Sequence, residues 1–117
     1  LMGHGTTHFA NMVYPAMQTA LRLQGHPNVV VGTVEGWPTL ENAIAELRVL
    51  GAKHIELRPM MLVAGDHAQN DMAGDDADSW KSHLTAAGFD VHCTVEGLGE
   101  LEDVQRLYVE HLKAELK

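Results

Sequence analysis

Apolar positions along the chain recur at two different periods, and the switches between them mark out the elements. Leu1 and Met2 read as the last residues of a first strand. From about Asn11 to Gln24, the positions Met12, Ala16, Thr19, Ala20 and Leu23 follow helical spacing, and Gly25-His26-Pro27 supplies a stop. The β-branched run Val29-Val30-Val31-Gly32-Thr33-Val34 is apolar on both faces, as a buried parallel strand requires, and Glu35-Gly36-Trp37-Pro38 ends it. Leu40, Ala43, Ile44, Leu47 and Leu50 then form the face of a second helix, with Thr39 as N-cap and Gly51 as terminator. His54 to Leu62 reads as a third strand, and residues 65–76 as a long polar loop. A helix from about Asp78 to Ala87, a strand from Phe89 to Val95 and a final amphipathic helix marked by Leu101, Val104, Leu107, Tyr108, Leu112 and Leu116 complete the pattern.

The order β-α-β-α-β-α-β-α predicts an α/β fold of three layers, a four-stranded parallel sheet with helices on both faces, spanning residues 1–117 as a single domain. In such sheets the loops leaving the carboxyl ends of the strands gather on one edge, where ligands bind. Thr33-Val34-Glu35-Gly36 before Leu40-Glu41 is echoed by Thr94-Val95-Glu96-Gly97 before Leu101-Glu102. Each copy ends a strand and opens a helix, so shared local geometry accounts for it without a duplication.

Composition narrows the class of function. Apolar residues make up 45% and charged residues 21%, as in ordinary folded proteins. A net charge of −8 argues against a nucleic-acid binder, which needs clustered Lys and Arg. The apolar runs fall far short of the roughly 20 residues that span a bilayer, so no membrane partner is expected. Cys93 is the single cysteine, which excludes an intrachain disulfide. The residues Leu1-Met2-Gly3-His4 carry no basic or apolar leader; the expected location is cytoplasmic, or periplasmic if a leader has been removed. Eight histidines and six methionines raise the prospect of metal chemistry.

Three of the candidate ligands stand at equivalent places in successive β-α units: His4 after the first strand, Glu35 after the second and His67 after the third. Each interval matches one β-α-β repeat of about 30 residues, so neighbouring strands can bring the three groups together. Two imidazoles and a carboxylate suit Co²⁺, Fe²⁺, Ni²⁺ or Zn²⁺, with coordination positions left open for reaction. Each residue also has a plainer reading: His4 and His67 as loop hydrogen-bonding residues, and Glu35 as a favourable charge near a helix N-terminus. His8 is either a neighbour of the site or an ordinary loop histidine, and Glu96 ends a strand that lies farther away. The aspartates from Asp66 to Asp78 lack EF-hand spacing and read as a solvated loop. Met60, Met61, Met72, Trp37 and Trp80 either line an apolar binding surface or fill the core. Gly3-His4-Gly5-Thr6-Thr7 lacks both the P-loop lysine and the dinucleotide fingerprint.

Met2-Gly3-His4-Gly5-Thr6-Thr7-His8, Val34-Glu35-Gly36-Trp37-Pro38 and the segment from Leu62 to Gly74, with its mixture of His, Asp, Asn and Met, together resemble the anaerobic-type sirohydrochlorin cobaltochelatases, the class II tetrapyrrole chelatases. The similarity covers essentially the whole chain and corresponds to the carboxyl-terminal domain of that family. It implies insertion of Co²⁺, or of Fe²⁺, into sirohydrochlorin on the way to cobalamin or a related tetrapyrrole. It also implies His4 and His67 as metal-binding catalytic residues and Glu35 as the acidic ligand. Family members place the macrocycle between two such domains, so the expected partner is a second chelatase domain or a second copy in a homodimer. A divalent-metal carrier that processes no tetrapyrrole is the alternative that the same ligands support.

Overall fold

The computed structural model describes residues 1–116, the side chain of His67 excepted. Four short strands are present: β1 (Met2–Gly3), β2 (Gly32–Thr33), β3 (His54–Leu57) and β4 (Asp90–Cys93). Four α-helices follow them in turn: α1 (Val13–Leu23), α2 (Leu40–Val49), α3 (Trp80–Ala86) and α4 (Glu102–Glu115). The alternating order is therefore as the periodicity predicts. Two 3-10 turns, Phe9–Met12 and Leu98–Glu100, lead into α1 and α4, and a π-helical turn over His67–Met72 occupies the segment expected to be a plain loop.

The helix boundaries follow from local chemistry. The Thr39 hydroxyl accepts the Asn42 N–H at 3.2 Å while the Asn42 carboxamide accepts the Thr39 N–H at 2.9 Å, a reciprocal cap that starts α2. Gly51, at φ +69°, ends it in a conformation that costs other residues dearly. Ser79 caps α3 by accepting the Ser82 N–H at 3.1 Å.

The sheet differs from the expectation. Among the described residues there is no continuous four-stranded sheet but two parallel pairs, β1 with β2 and β3 with β4. A single bridge between Met2 and Pro59 joins them: Met2 N–H donates to the Arg58 carbonyl at 2.8 Å, and Met60 N–H to the Met2 carbonyl at 2.7 Å. The physical reason is the shortness of β1, which meets the β3 side at one residue. Of the β-branched run, only Gly32 and Thr33 pair with β1 as strand residues, so β2 is shorter than its composition suggests. Across both pairs the spatial order is β2, β1, β3, β4.

Residue alternation assigns the helices to faces. Met2 and Leu57 point into a core with Leu40, Met72, Trp80, Leu84 and Phe89, so α2 and α3 cover that face. Gly3 points the other way, beneath the Tyr14 ring of α1, at a spot where any Cβ would lie 2.2 Å from the ring. Helices thus lie on both faces, but α1 covers only the β1–β2 half. Over β3 and β4 that face exposes two cross-strand pairs, His54 with Asp90 at 2.9 Å and Glu56 with His92 at 2.8 Å. The helix α4 has no buried residue, and the molecule is elongated, 52 × 30 × 28 Å. No helix of the described residues is long and apolar enough to cross a membrane.

Three outcomes follow from this packing. Leu84, 2% exposed at the centre of the core, is expected to cost about 2–5 kcal/mol when replaced by Ala, read by urea denaturation. Thr39→Ala should cost about 1 kcal/mol by removal of the α2 cap. The Glu56 carboxyl accepts hydrogen bonds from Thr94 and His92 and lies near Arg58, and these hold it below its ordinary value. A depressed pKa contributes stability above the unfolded-state value, and that contribution is lost as pH falls through the folded-state value. In carboxyl NMR titrations, Thr94→Val should move Glu56 back up toward the ordinary value of about 4.3.

Candidate metal site

The β1–β2 ladder continues one step past both strands. Val34 N–H donates to the Gly3 carbonyl at 3.0 Å and Glu35 N–H to the His4 carbonyl at 2.8 Å. His4 and Glu35 are therefore placed side by side by main-chain bonds. Their side chains, both about half exposed, approach to 3.7 Å between Nδ1 and Oε2. The His4 Nδ1 also lies 2.8 Å from the Gly5 carbonyl. A carbonyl can only accept, so this bond selects the Nδ1–H tautomer and makes Nε2 the nitrogen with a lone pair for a metal or a proton.

Two tight turns hold this pair. Gly5 sits at φ +78°, and a Cβ there would lie 2.5 Å from the Gly36 nitrogen, so both the conformation and the space require glycine. The Thr33 hydroxyl accepts the Gly36 N–H at 3.0 Å and donates to the Pro38 carbonyl at 2.9 Å, closing the turn that carries Glu35. Asn11, from the turn before α1, ties the two loops together: its Oδ1 accepts the Thr6 N–H at 3.0 Å and its Nδ2 donates to the Trp37 carbonyl at 2.6 Å. Sequence reasoning missed both Thr33 and Asn11. Thr33, a hydroxyl able to donate and accept at once beside the Gly-flanked Glu35 turn, carried a signal, whereas Asn11 carried none in its local sequence.

His67 opens the π-helical turn that follows β3, and its side chain lies outside the described residues. The backbone leading to it runs beside β1, through the Met2–Pro59 bridge, so the β1 and β3 exits adjoin. This is also where the connections diverge, β1 to β2 on one side and β3 to β4 on the other, the crevice where parallel α/β sheets bind ligands. Among the described residues, no three His, Cys, Asp or Glu side chains form a ready metal cage.

The remaining candidates have structural duties. His8 Nδ1 accepts the Ala10 N–H at 3.1 Å, capping the turn before α1, and its ring rests on Phe9. Met72 and Trp80 are core residues. Asp75 pairs with Lys81 at 2.8 Å, in keeping with a solvated acidic loop. Burial pushes the Cys93 thiol up, which disfavours a thiolate ligand. Trp37, by contrast, is 56% exposed two residues from Glu35. Phe9, Leu62, Val63 and Val95 are also exposed. An open groove of about 740 Å³ lies among Leu62, Val63, Gln69, Val95 and Tyr108. Apolar surface thus rims the edge that carries His4 and Glu35.

A parallel α/β domain with an imidazole and a carboxylate side by side at the carboxyl edge of its strands belongs to a class suited to handling a divalent cation there. The family profile described as Cobalt chelatase (CbiK) matches residues 1–117, and the chain belongs to that family. It is 43% identical over 111 residues to the sirohydrochlorin cobaltochelatase of Salmonella typhimurium, covering 95% of this chain and 42% of that protein. It is 40% identical over 113 residues to the sirohydrochlorin cobaltochelatase CbiKC of Nitratidesulfovibrio vulgaris, covering 97% of this chain and 40% of that protein. The chain thus spans about two fifths of the length of these curated relatives.

The Thr33 hydroxyl is the support for the Glu35 turn that can be removed most cleanly. Thr33→Val keeps the β-branched shape and leaves the Gly36 N–H without its acceptor, an expected loss of about 1–3 kcal/mol. Isothermal titration with Co²⁺ should show weaker binding in this variant, with β-sheet circular dichroism retained.

Proposed function

We propose that the chain supplies the metal-handling wall of a chelatase that inserts Co²⁺ into sirohydrochlorin. The observation that carries this reading is the juxtaposition of His4 and Glu35 at the switch-point edge, in a member of the cobalt chelatase family. His67, from the adjoining loop, is the third ligand in this reading, and Co²⁺ is the substrate metal. Fe²⁺, Ni²⁺ and Zn²⁺ suit the same nitrogen and oxygen donors.

Insertion exchanges one M²⁺ for two pyrrole protons, so the site must loosen its hold on the metal while accepting H⁺. Neutral imidazoles and one carboxylate leave coordination positions open for the macrocycle nitrogens to take in turn. His4 acts as base through Nε2: its Nδ1–H is engaged by the Gly5 carbonyl, and the imidazolium formed is stabilised by the Glu35 carboxylate. The exposed apolar rim, with Trp37 and Phe9, suits the face of a tetrapyrrole. The macrocycle's carboxylates need cations that this acidic chain offers sparingly, since Arg58 lies 3.6 Å from Glu56 and Lys81 is paired with Asp75. That favours a cleft whose opposite wall comes from a second domain or a second copy.

The experiment is Co²⁺ insertion into sirohydrochlorin, followed by growth of the metallated absorption spectrum. The protein should accelerate it, and His4→Ala and His67→Ala should each lower the rate by at least tenfold while leaving the fold intact. Metal binding without accelerated insertion would instead identify a metal carrier. Full activity in both variants would sink the assignment of the site.

A further inference from the structure

The ladder that aligns the two ligand-bearing loops ends at the Glu35 N–H, which donates to the His4 carbonyl at 2.8 Å. Beyond it Gly5 and Gly36 meet backbone to backbone, and a Cβ on Gly5 would lie 2.5 Å from the Gly36 nitrogen. Neither glycine has a side chain with which to hold the other. The loops are next joined by a third segment, through Asn11. We propose that Asn11 is a positioning residue of the metal site, whose carboxamide acts through the Glu35 turn to hold that carboxylate at a fixed distance from His4. The role rests on the reading of His4 and Glu35 as metal ligands.

The carboxamide is engaged at both ends by groups of opposite polarity. The Thr6 N–H can only donate, so it meets Oδ1 at 3.0 Å, and the Trp37 carbonyl can only accept, so it meets Nδ2 at 2.6 Å. Thr6 stands one residue past Gly5 and Trp37 one residue past Gly36, so the two bonds span the exits of β1 and β2 just beyond the glycine contact. The carboxamide oxygen also lies against Gly36, where a Cβ would come within 2.1 Å of it. Glu35 is thus flanked by the ladder on one side and by the Asn11 bond to Trp37 on the other.

Asn11 is itself tied to the His4 loop. Its N–H donates to the His8 carbonyl at 3.0 Å, the Ala10 N–H to His8 Nδ1 at 3.1 Å, and the His8 N–H to the Thr6 hydroxyl at 3.2 Å. These bonds make one compact turn of the segment from Thr6 to Asn11, and α1 continues from it. Thr33 shapes the Glu35 turn from within, whereas Asn11 fixes where that turn stands relative to His4. Nitrogen and oxygen ligands bind an ion such as Zn²⁺ at about 2.0–2.2 Å, which leaves little tolerance for drift of one ligand against another.

Isothermal titration of Co²⁺ into the 117-residue chain and its variants tests this role. Asn11→Leu removes both bonds, and Asn11→Asp keeps an acceptor for Thr6 but sets lone pairs against the Trp37 carbonyl. Each should bind Co²⁺ at least fivefold more weakly, with helical circular dichroism retained, and the Glu35 amide should exchange with solvent at least fivefold faster. Charge alone would tighten binding in Asn11→Asp, so weaker binding there isolates the lost hydrogen bond. If Asn11→Leu loses helical structure, Asn11→Asp decides. Combined with Glu35→Ala, either Asn11 variant should change Co²⁺ affinity by less than twofold, because an effect that runs through Glu35 disappears with it, whereas a general loosening of the fold persists. Unchanged affinity, unchanged Glu35 exchange, or an equal loss with and without Glu35 would overturn the positioning role alone. Failure of the unaltered chain to bind Co²⁺ would overturn it together with the reading of the metal site.

Discussion

Two consecutive main-chain hydrogen bonds, from Val34 to Gly3 and from Glu35 to His4, set the geometry on which the candidate site depends. They carry the parallel ladder past the formal ends of both strands, so an imidazole and a carboxylate are brought together before any side chain has to choose a partner. Everything around them resists displacement of that register. Gly5 and Gly36 approach too closely to admit a Cβ, Thr33 closes one turn and Asn11 spans both. Preorganisation of this kind fixes the relative position of the two side chains before any ligand arrives, so little reorganisation is needed there.

The placement of the site follows from chain order as well as from local bonds. With β1 between β2 and β3, connections leave to both sides, and the crevice opens where they part. The core lies on the opposite side of β1 and β3 from α1, under α2 and α3, so the edge that carries His4 and Glu35 can be wet and half-exposed without weakening the packing that holds it. Apolar side chains that the core does not use, such as Trp37, Phe9 and Val63, collect around that edge. Core and site therefore draw on different hydrophobic residues.

Much of this was legible in the chain. Helical periodicity located α1, α2 and α4, the segment from about Asp78 to Ala87 was read as a helix between its neighbours, Thr39 announced a cap, and the Gly-flanked strand ends pointed to His4 and Glu35. Membership of the cobalt chelatase family agrees with the motifs that first suggested it. The extent of the strands was not legible, because a strand's length depends on its partner: Val29–Val31 has the composition of a strand, but only Gly32 and Thr33 meet β1 as strand residues. The π-helical turn at His67 was also hidden, since its polar residues carry no helical period. Asn11 escaped notice because its role is to join two loops distant in sequence, and His8 drew attention for its chemistry while its work is to cap a turn.

The mutual approach of Gly5 and Gly36 also limits how such a protein can change in length. One residue inserted just ahead of His4 or of Glu35 would turn that side chain to the opposite face and advance it by about 3.3 Å, separating the two. Insertions elsewhere, such as near Gly25, where a Cβ would meet nothing within 4 Å, leave that register alone. Variation in length should therefore collect on the amino-terminal side of the sheet, and the carboxyl edge should keep its spacing while its side chains diversify.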